Sequence, residues 1–216
     1  EESLPVLLGE IREVMGKLGA PYEIIFVNDG SSDRSPEILH QAQKEFPALV
    51  RVFDVPLRRG QTHALKTGIT AGRGDVVITL DADLQNDPAD IPALVKKMEE
   101  GYDVVCGWRK NRQDKSFKAL LSKAGNVFQR LLTGLAIHDI SCTLRAYRRA
   151  CVSHIPLNWE GQHRFVPLSL SLQGFRAGEV VSHHRPRSFG ESKYHHWRVF
   201  KVAVDFFKVL AARGKY

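Results

Sequence analysis

The stretch Asp75-Val76-Val77-Ile78-Thr79-Leu80-Asp81-Ala82-Asp83-Leu84-Gln85-Asn86-Asp87 joins a β-branched apolar run to a cluster of oxygen-bearing side chains. The run, bounded by Gly74 and Pro88, predicts a buried parallel strand. Alternation along an extended segment puts Asp81, Asp83 and Gln85 on one side. Three oxygen ligands just past a strand's carboxyl end stand where open α/β sheets bind their ligands. Two clustered carboxylates repel each other unless a cation lies between them. With no Cys or His beside them, the fitting ion is Mg2+ or Mn2+, shared with a substrate phosphate. A plainer reading is equally open, in which these acids only cap a helix starting near Pro88.

Outward from this stretch, strands and helices alternate. A helix over about 3–18 precedes a strand at Tyr22–Val27, and a second helix starts at Ser35-Pro36-Glu37 with a capping residue and an early proline. Strand Val50–Val55, helix Gln61–Ala71, strand Val76–Leu80, helix Pro88–Glu100 and strand Asp103–Cys106 follow. This order predicts an α/β fold, a Rossmann-like and mostly parallel sheet flanked by helices. Beyond Gly107 come a polar loop, a helix over Phe117–Leu135, strand-like Leu144–Tyr147, a helix around Phe165–Gln173, strand Ala177–Ser182 and a last helix over Tyr194–Ala212. No repeat or linker interrupts the 216 residues, so one domain spanning 1–216 is expected.

Lys and Arg number 31 against 24 Asp and Glu, a formal net charge of +7, which favours an anionic partner: nucleic acid, a phosphorylated substrate or an acidic membrane surface. Three widely spaced cysteines (Cys106, Cys142, Cys151) fit neither a disulfide framework nor a metal cluster, and a reducing compartment is expected. No apolar run approaches the ~20 residues of a spanning helix.

Two further loops lie at the same sheet edge. Asn28-Asp29-Gly30-Ser31-Ser32-Asp33 follows a strand; its carboxylates can accept hydrogen bonds from a nucleobase or ribose, or it is a plain turn. Arg58-Arg59-Gly60-Gln61 precedes a helix; Gly60 admits close backbone approach and the arginines suit a diphosphate, or the loop is simply a solvated basic turn.

Together, Val27–Asp33, the Arg59-Gly60 loop and Leu80–Gln85 resemble the family 2 inverting glycosyltransferases of GT-A fold. Arg109-Lys110-Asn111-Arg112, Leu144–Arg149 and Arg187-Ser188-Phe189-Gly190-Glu191-Ser192-Lys193-Tyr194 narrow the resemblance to the polyprenyl-phosphate branch, similar to dolichol-phosphate mannosyltransferases and undecaprenyl-phosphate formamido-arabinose transferases. Ser141-Cys142-Thr143-Leu144 is closer to the arabinose type. Members of the family start with a strand and a Pro-x-Tyr-Asn-Glu segment, and many continue into membrane helices. This sequence opens on the helix after that strand and closes on Arg213-Gly214-Lys215-Tyr216, so a fragment is expected.

The resemblance implies transfer of a sugar from a nucleotide donor to a polyprenyl (dolichyl or undecaprenyl) phosphate at the cytoplasmic face of a membrane. It implies a donor site of Asn28, Asp29, Gly30, Arg59, Gly60 and Asp81, and a Mg2+ or Mn2+ site of Asp81, Asp83 and Gln85. Arg187 and Lys193 would neutralise pyrophosphate and phosphate, and Arg109 with Arg112 would face the acceptor phosphate. Asp83, Arg187, Lys193 and Asp139 are the catalytic candidates, although Asp139 is also open to a structural role or to orienting Arg145. Gly190–Lys193 reads as a closing loop or as an ordinary helix cap.

The last helix mixes Phe200, Val204 and Phe207 with Lys201 and Lys208, and with Phe117–Leu135 it is a candidate amphipathic interface helix. Either apolar side could equally be core. His183-His184 and His195-His196 point in divergent directions and make a poor zinc site; His63 and His138 read as ordinary. Three rival functions remain: a family 2 transferase with a hydroxyl acceptor, a catalytically silent scaffold, and a basic nucleic-acid module. The last lacks any recognised nucleic-acid motif, so no nucleic-acid partner is expected. Homo-oligomerisation is left open.

Overall fold

A computed structural model describes residues 1–110, 133–186 and 198–212. Helix α1 (Ser3–Leu18) buries Leu4, Leu7, Leu8 and Ile11, a stripe at helical spacing, and stops at Gly19, whose φ of 70° is left-handed. Strand β1 (Ile24–Asn28) alternates buried and half-buried residues and pairs in parallel with β2 (Val50–Asp54), from Ile24↔Val50 to Asn28↔Asp54. Helix α2 (Ser35–Glu45) packs on β2, and α3 (Gln61–Ala71) packs on β1. Leu4, Leu8, Ile24, Phe26, Leu39 and Val50 form one apolar cluster, and Leu84 joins it.

Four more strands form a second sheet: β3 (Val76–Thr79), β4 (Val104–Trp108), β5 (Arg145–Arg148) and β6 (Ala177–Val181), in the order β3-β5-β4-β6. β5 runs antiparallel to both β3 and β4, while β6 is parallel to β4. Thus β3, β4 and β6 share one direction and β5 alone opposes them. Alternate residues of β4 face opposite sides. Val105 meets Leu94 and Met98 of α4 (Ile91–Glu99), whereas Val104 and Cys106 meet Leu168, Leu170, Phe206 and Val209. Those four come from α6 (Val166–Leu172) and α7 (Arg198–Ala211). A short helix α5 (Arg149–Val152), unexpected from the sequence, follows β5 directly.

The expected run of alternating elements stands, with two corrections. The expected buried parallel strand at Val76–Leu80 ends at Thr79; its four residues are half-buried, and it lies at the edge of its sheet beside antiparallel β5. The extended alternation across Asp81, Asp83 and Gln85 is also replaced. Ala82 and Asp83 form a turn, and Leu84 has a left-handed φ of 62°. Asp87, rather than Asp81 or Asp83, caps the 3-10 turn Pro88–Asp90 that leads into α4, by accepting from Ala89 N. Most of the Phe117–Leu135 helix, Arg112, Arg187, Gly190 and Lys193 lie outside the described residues.

Helix α7 is apolar on two sides. Phe206 and Val209 are buried, whereas Val204 and Phe207 are exposed at 54% and 56%. Among the described residues, no helix is long and apolar enough to cross a membrane.

Leu94 is fully enclosed between α4 and the second sheet. Leu94→Ala is expected to lower stability by about 2–5 kcal/mol through lost burial and the cavity left behind. Urea titration would show this as a lower midpoint at unchanged slope.

Candidate active site

The end of β3 gathers chain segments far apart in sequence. Asp81 lies two residues past the strand, and both of its carboxylate oxygens are engaged. Gln61 Nε2, at the first position of α3, donates to Oδ1 at 2.8 Å, and the Thr143 hydroxyl donates to Oδ2 at 2.8 Å. Thr143 is held in turn: Asn86 Nδ2 donates to its hydroxyl at 3.1 Å, and its carbonyl accepts from the Thr79 hydroxyl at 2.8 Å. Part of the Asp81 residue surface stays open, but the carboxylate itself is enclosed. Burial therefore pushes its pKa above the ordinary value; the charge of Asp83 adds to this, while Thr143, Gln61 and Arg109 oppose it.

The nucleotide-loop candidates meet as well. Asp29 accepts from the backbone N–H groups of Arg59 and Gly60, each at 2.8 Å. This docks the turn after β1 onto the turn before α3. Gly30, at φ 68°, allows that contact, since a Cβ there would lie 3.1 Å from Arg58 N. Asn28 is committed to the turn: its amide donates to Asp54 Oδ1 at 2.9 Å and its carbonyl accepts from Ser31 N at 3.0 Å. Asp83 accepts from Gln85 N at 3.1 Å across the turn containing Leu84.

Arg109 follows β4 and forms a two-pronged pair with Asp139. Its Nε donates to Oδ2 at 2.6 Å and its Nη2 to Oδ1 at 3.0 Å, with Ser141 Oγ also within 3.0 Å of Nη2. Such forks are the strong, orienting form of the ion pair, and Asp139 raises the Arg109 pKa further despite burial. Arg145 is held by backbone carbonyls. The Arg145 guanidinium is buried and donates to the carbonyls of Ile140 and His163, each at 2.6 Å. Arg109 nevertheless bears on the Asp81 carboxylate electrostatically. Asp81, Asp83, Arg109 and Asp139 thus share one site.

Gln61, Asn86 and Thr143 are site residues that sequence reasoning passed over. Gln61 was in plain view beside Gly60, and Thr143 between Cys142 and Leu144, but neutral polar residues carry no periodic signal. His183 and His138 hold carboxylates, while His195-His196 lie outside the described residues. His183 shares Asp90 through its backbone N–H and its ring at 2.7 Å each, and His138 leans on Glu179 while stacking on Trp108 at 4.2 Å. Among the described residues, no group of three or more His, Cys, Asp and Glu could hold a metal ion. The chemistry of the Asp81, Asp83 and Gln85 donors is all oxygen, which fits a hard divalent ion. Burial is the main reason the Asp81 pKa is raised, and a cation between the two carboxylates would offset both that burial and the smaller contribution of Asp83's charge.

Against known proteins, the model of the glycosyl transferase family 2 matches residues 2–155. The chain belongs to this family. It is 39% identical over 212 residues to the undecaprenyl-phosphate 4-deoxy-4-formamido-L-arabinose transferases of Salmonella paratyphi B and Salmonella newport, covering 97% of this chain and 64% of theirs. The chain therefore spans somewhat less than two thirds of the length of these relatives. Among solved structures, it resembles a mannosyltransferase from Pyrobaculum calidifontis in complex with GDP-Man and Mn2+ (20% identity, TM-score 0.61, 94% of this chain and 61% of that one). It also resembles glucosyl-3-phosphoglycerate synthase from Mycobacterium tuberculosis with Mn2+, UDP and glucosyl-3-phosphoglycerate (20% identity, TM-score 0.60, 88% and 68%). The fold is that of the GT-A glycosyltransferases, as the sequence resemblance implied.

Because burial raises the Asp81 pKa, the folded state holds this proton more tightly than the unfolded chain does. Metal-free stability should then fall as pH rises from about 4 through the folded value, and level off above it. Asp81→Asn, which cannot titrate, should flatten that part of the profile. Differential scanning calorimetry across pH 3–8 would check both.

Proposed function

We propose that this chain is the catalytic domain of an inverting glycosyltransferase that moves a sugar from a nucleoside-diphosphate sugar to a polyprenyl phosphate at the cytoplasmic face of a membrane. The observation that carries the choice of acceptor is the Arg109–Asp139 fork. A carboxylate gripped through both oxygens by a guanidinium is a poor proton acceptor. A hydroxyl acceptor needs such a base, whereas a phosphate monoester arrives ionised at neutral pH and needs none. The names of the 39% identical relatives agree with this acceptor class.

In this reading a phosphate oxygen of the lipid attacks the anomeric carbon from the face opposite the leaving group. The bond from that carbon to the diphosphate breaks, and the nucleoside diphosphate departs with the electron pair. Asp29 and the turn around Gly60 form the nucleoside end of the pocket, and Asp81 anchors its centre. Asp81, Asp83 and Gln85 would hold Mg2+ or Mn2+, which supplies electrostatic neutralisation of the departing diphosphate. Arg109, oriented by Asp139, provides positive charge on the acceptor side, with Arg112 proposed beside it. Arg187 and Lys193 are proposed as further cations for the two phosphates. The exposed Val204 and Phe207 beside Lys208 on α7 suit a surface that meets lipid at the headgroup level.

Thermal-shift screening of GDP-mannose, UDP-glucose and UDP-arabinose derivatives with Mn2+ should give a rise in melting temperature for one donor class, since a ligand bound to the native state stabilises it by mass action. Asp83→Ala should remove that Mn2+-dependent rise and lower transfer to undecaprenyl phosphate by at least roughly 100-fold while the fold survives. Transfer by Asp83→Ala at the unsubstituted rate would refute the metal assignment, and transfer to a hydroxyl lipid alone would refute the acceptor.

A further inference from the structure

The first turn of α3 is clasped from two sides by carboxylates, one of which comes from much later in the chain. Glu160 Oε2 accepts from Thr62 N at 3.0 Å, across a separation of 98 residues. Next to it, Gly161 N donates to the Thr62 hydroxyl at 2.9 Å, and the same hydroxyl lies 2.6 Å from His163 Nδ1. The Glu160 carboxylate lies against Gly60, where a Cβ would fall 2.5 Å from Oε2; Gly60 has a φ of 94°. Gly161, at φ 105°, is backed by α7, because a Cβ there would come within 2.7 Å of Asp205 Oδ2. On the other side, Asp29 takes the amides of Arg59 and Gly60.

Helix starts leave backbone donors without helical partners, and carboxylates beside them hold the first turn in place. Here that turn has a second duty, because Gln61 lies within it and its side chain reaches Asp81. We propose that Glu160 is a positioning residue for the donor: through Thr62 and Gly60 it fixes where Gln61, and so Asp81, stands. This rests on the reading of the pocket as a nucleotide-sugar site. Glu160 bears on the turn shared by Asp29 and Asp81, so it acts on donor affinity rather than on the acceptor side at Arg109.

The test is steady-state transfer with donor and acceptor varied separately, together with calorimetric binding of the donor nucleotide and Mn2+, for Glu160→Ala, Glu160→Gln and Glu160→Asp. Glu160→Ala should raise the donor KM about tenfold, the expected loss of one charge-assisted hydrogen bond, with kcat lowered less than about threefold and the acceptor KM unmoved. Glu160→Gln keeps an acceptor oxygen at the same reach and should restore the donor KM to within about twofold. A merely structural cap would lower kcat and both KM values in parallel with stability, and that result overturns the proposal, as does an unaltered donor KM or a failure of Glu160→Gln to rescue. If Glu160→Ala does not fold, Glu160→Asp decides: its carboxylate is one methylene short of Thr62 N, so an unchanged donor KM refutes the role. An unsubstituted protein that binds no nucleotide sugar overturns the function and this role together, whereas equal binding by it and Glu160→Ala overturns only the role of Glu160.

Discussion

A carboxylate enclosed at the end of a strand must be given hydrogen-bond donors, and this requirement organises the molecule around Asp81. Its two donors come from Gln61 and Thr143, 20 residues before it and 62 after it. Neither donor lies next to Asp81 in the chain, so the carboxylate is satisfied only when α3, the end of β3 and the loop before β5 are assembled. Buried polar groups of this kind are harmless when fully paired and damaging when half-paired. The site is therefore formed by the fold, and the fold is in part specified by the site.

The same logic governs the positive side. Arg109 and Asp139 hold each other in a nearly enclosed fork, and Arg145 donates to backbone carbonyls. Breaking a pair of this kind from one side strands the other charge, at a penalty of about 3–5 kcal/mol. Loss of activity on substituting Asp139 alone would therefore mix chemistry with instability. A matched replacement of both partners separates the two.

Much of the architecture was legible because it is written in local patterns. The limits of α3 were read to the residue, since Gly60 and Gly72 bracket a helical run, and α1 was read equally well from its apolar spacing. Strand direction is not a local property, and nothing in Leu144–Tyr147 announces that β5 opposes its neighbours. The acidic cluster was located correctly, but its shape was not. Alternation assumes an extended chain, whereas Ala82 and Asp83 turn and Leu84 takes a left-handed backbone. Gln61, Thr143 and Glu160 escaped notice for a different reason: each matters through one long-range hydrogen bond, which leaves no spacing rule behind.

Leu84 combines a strained backbone with a buried side chain. A branched residue at φ 62° pays roughly 1–3 kcal/mol in backbone strain, yet its side chain is only 5% exposed and sits in the apolar cluster with Ile24 and Phe26. Grease, in effect, clamps a contorted hinge between two polar prongs, Asp83 and Gln85. A glycine would relax the contortion and release the clamp together. At this position relief of backbone strain and retention of the apolar anchor are opposing goals, and the anchor, buried against Ile24 and Phe26, holds the backbone in its turn.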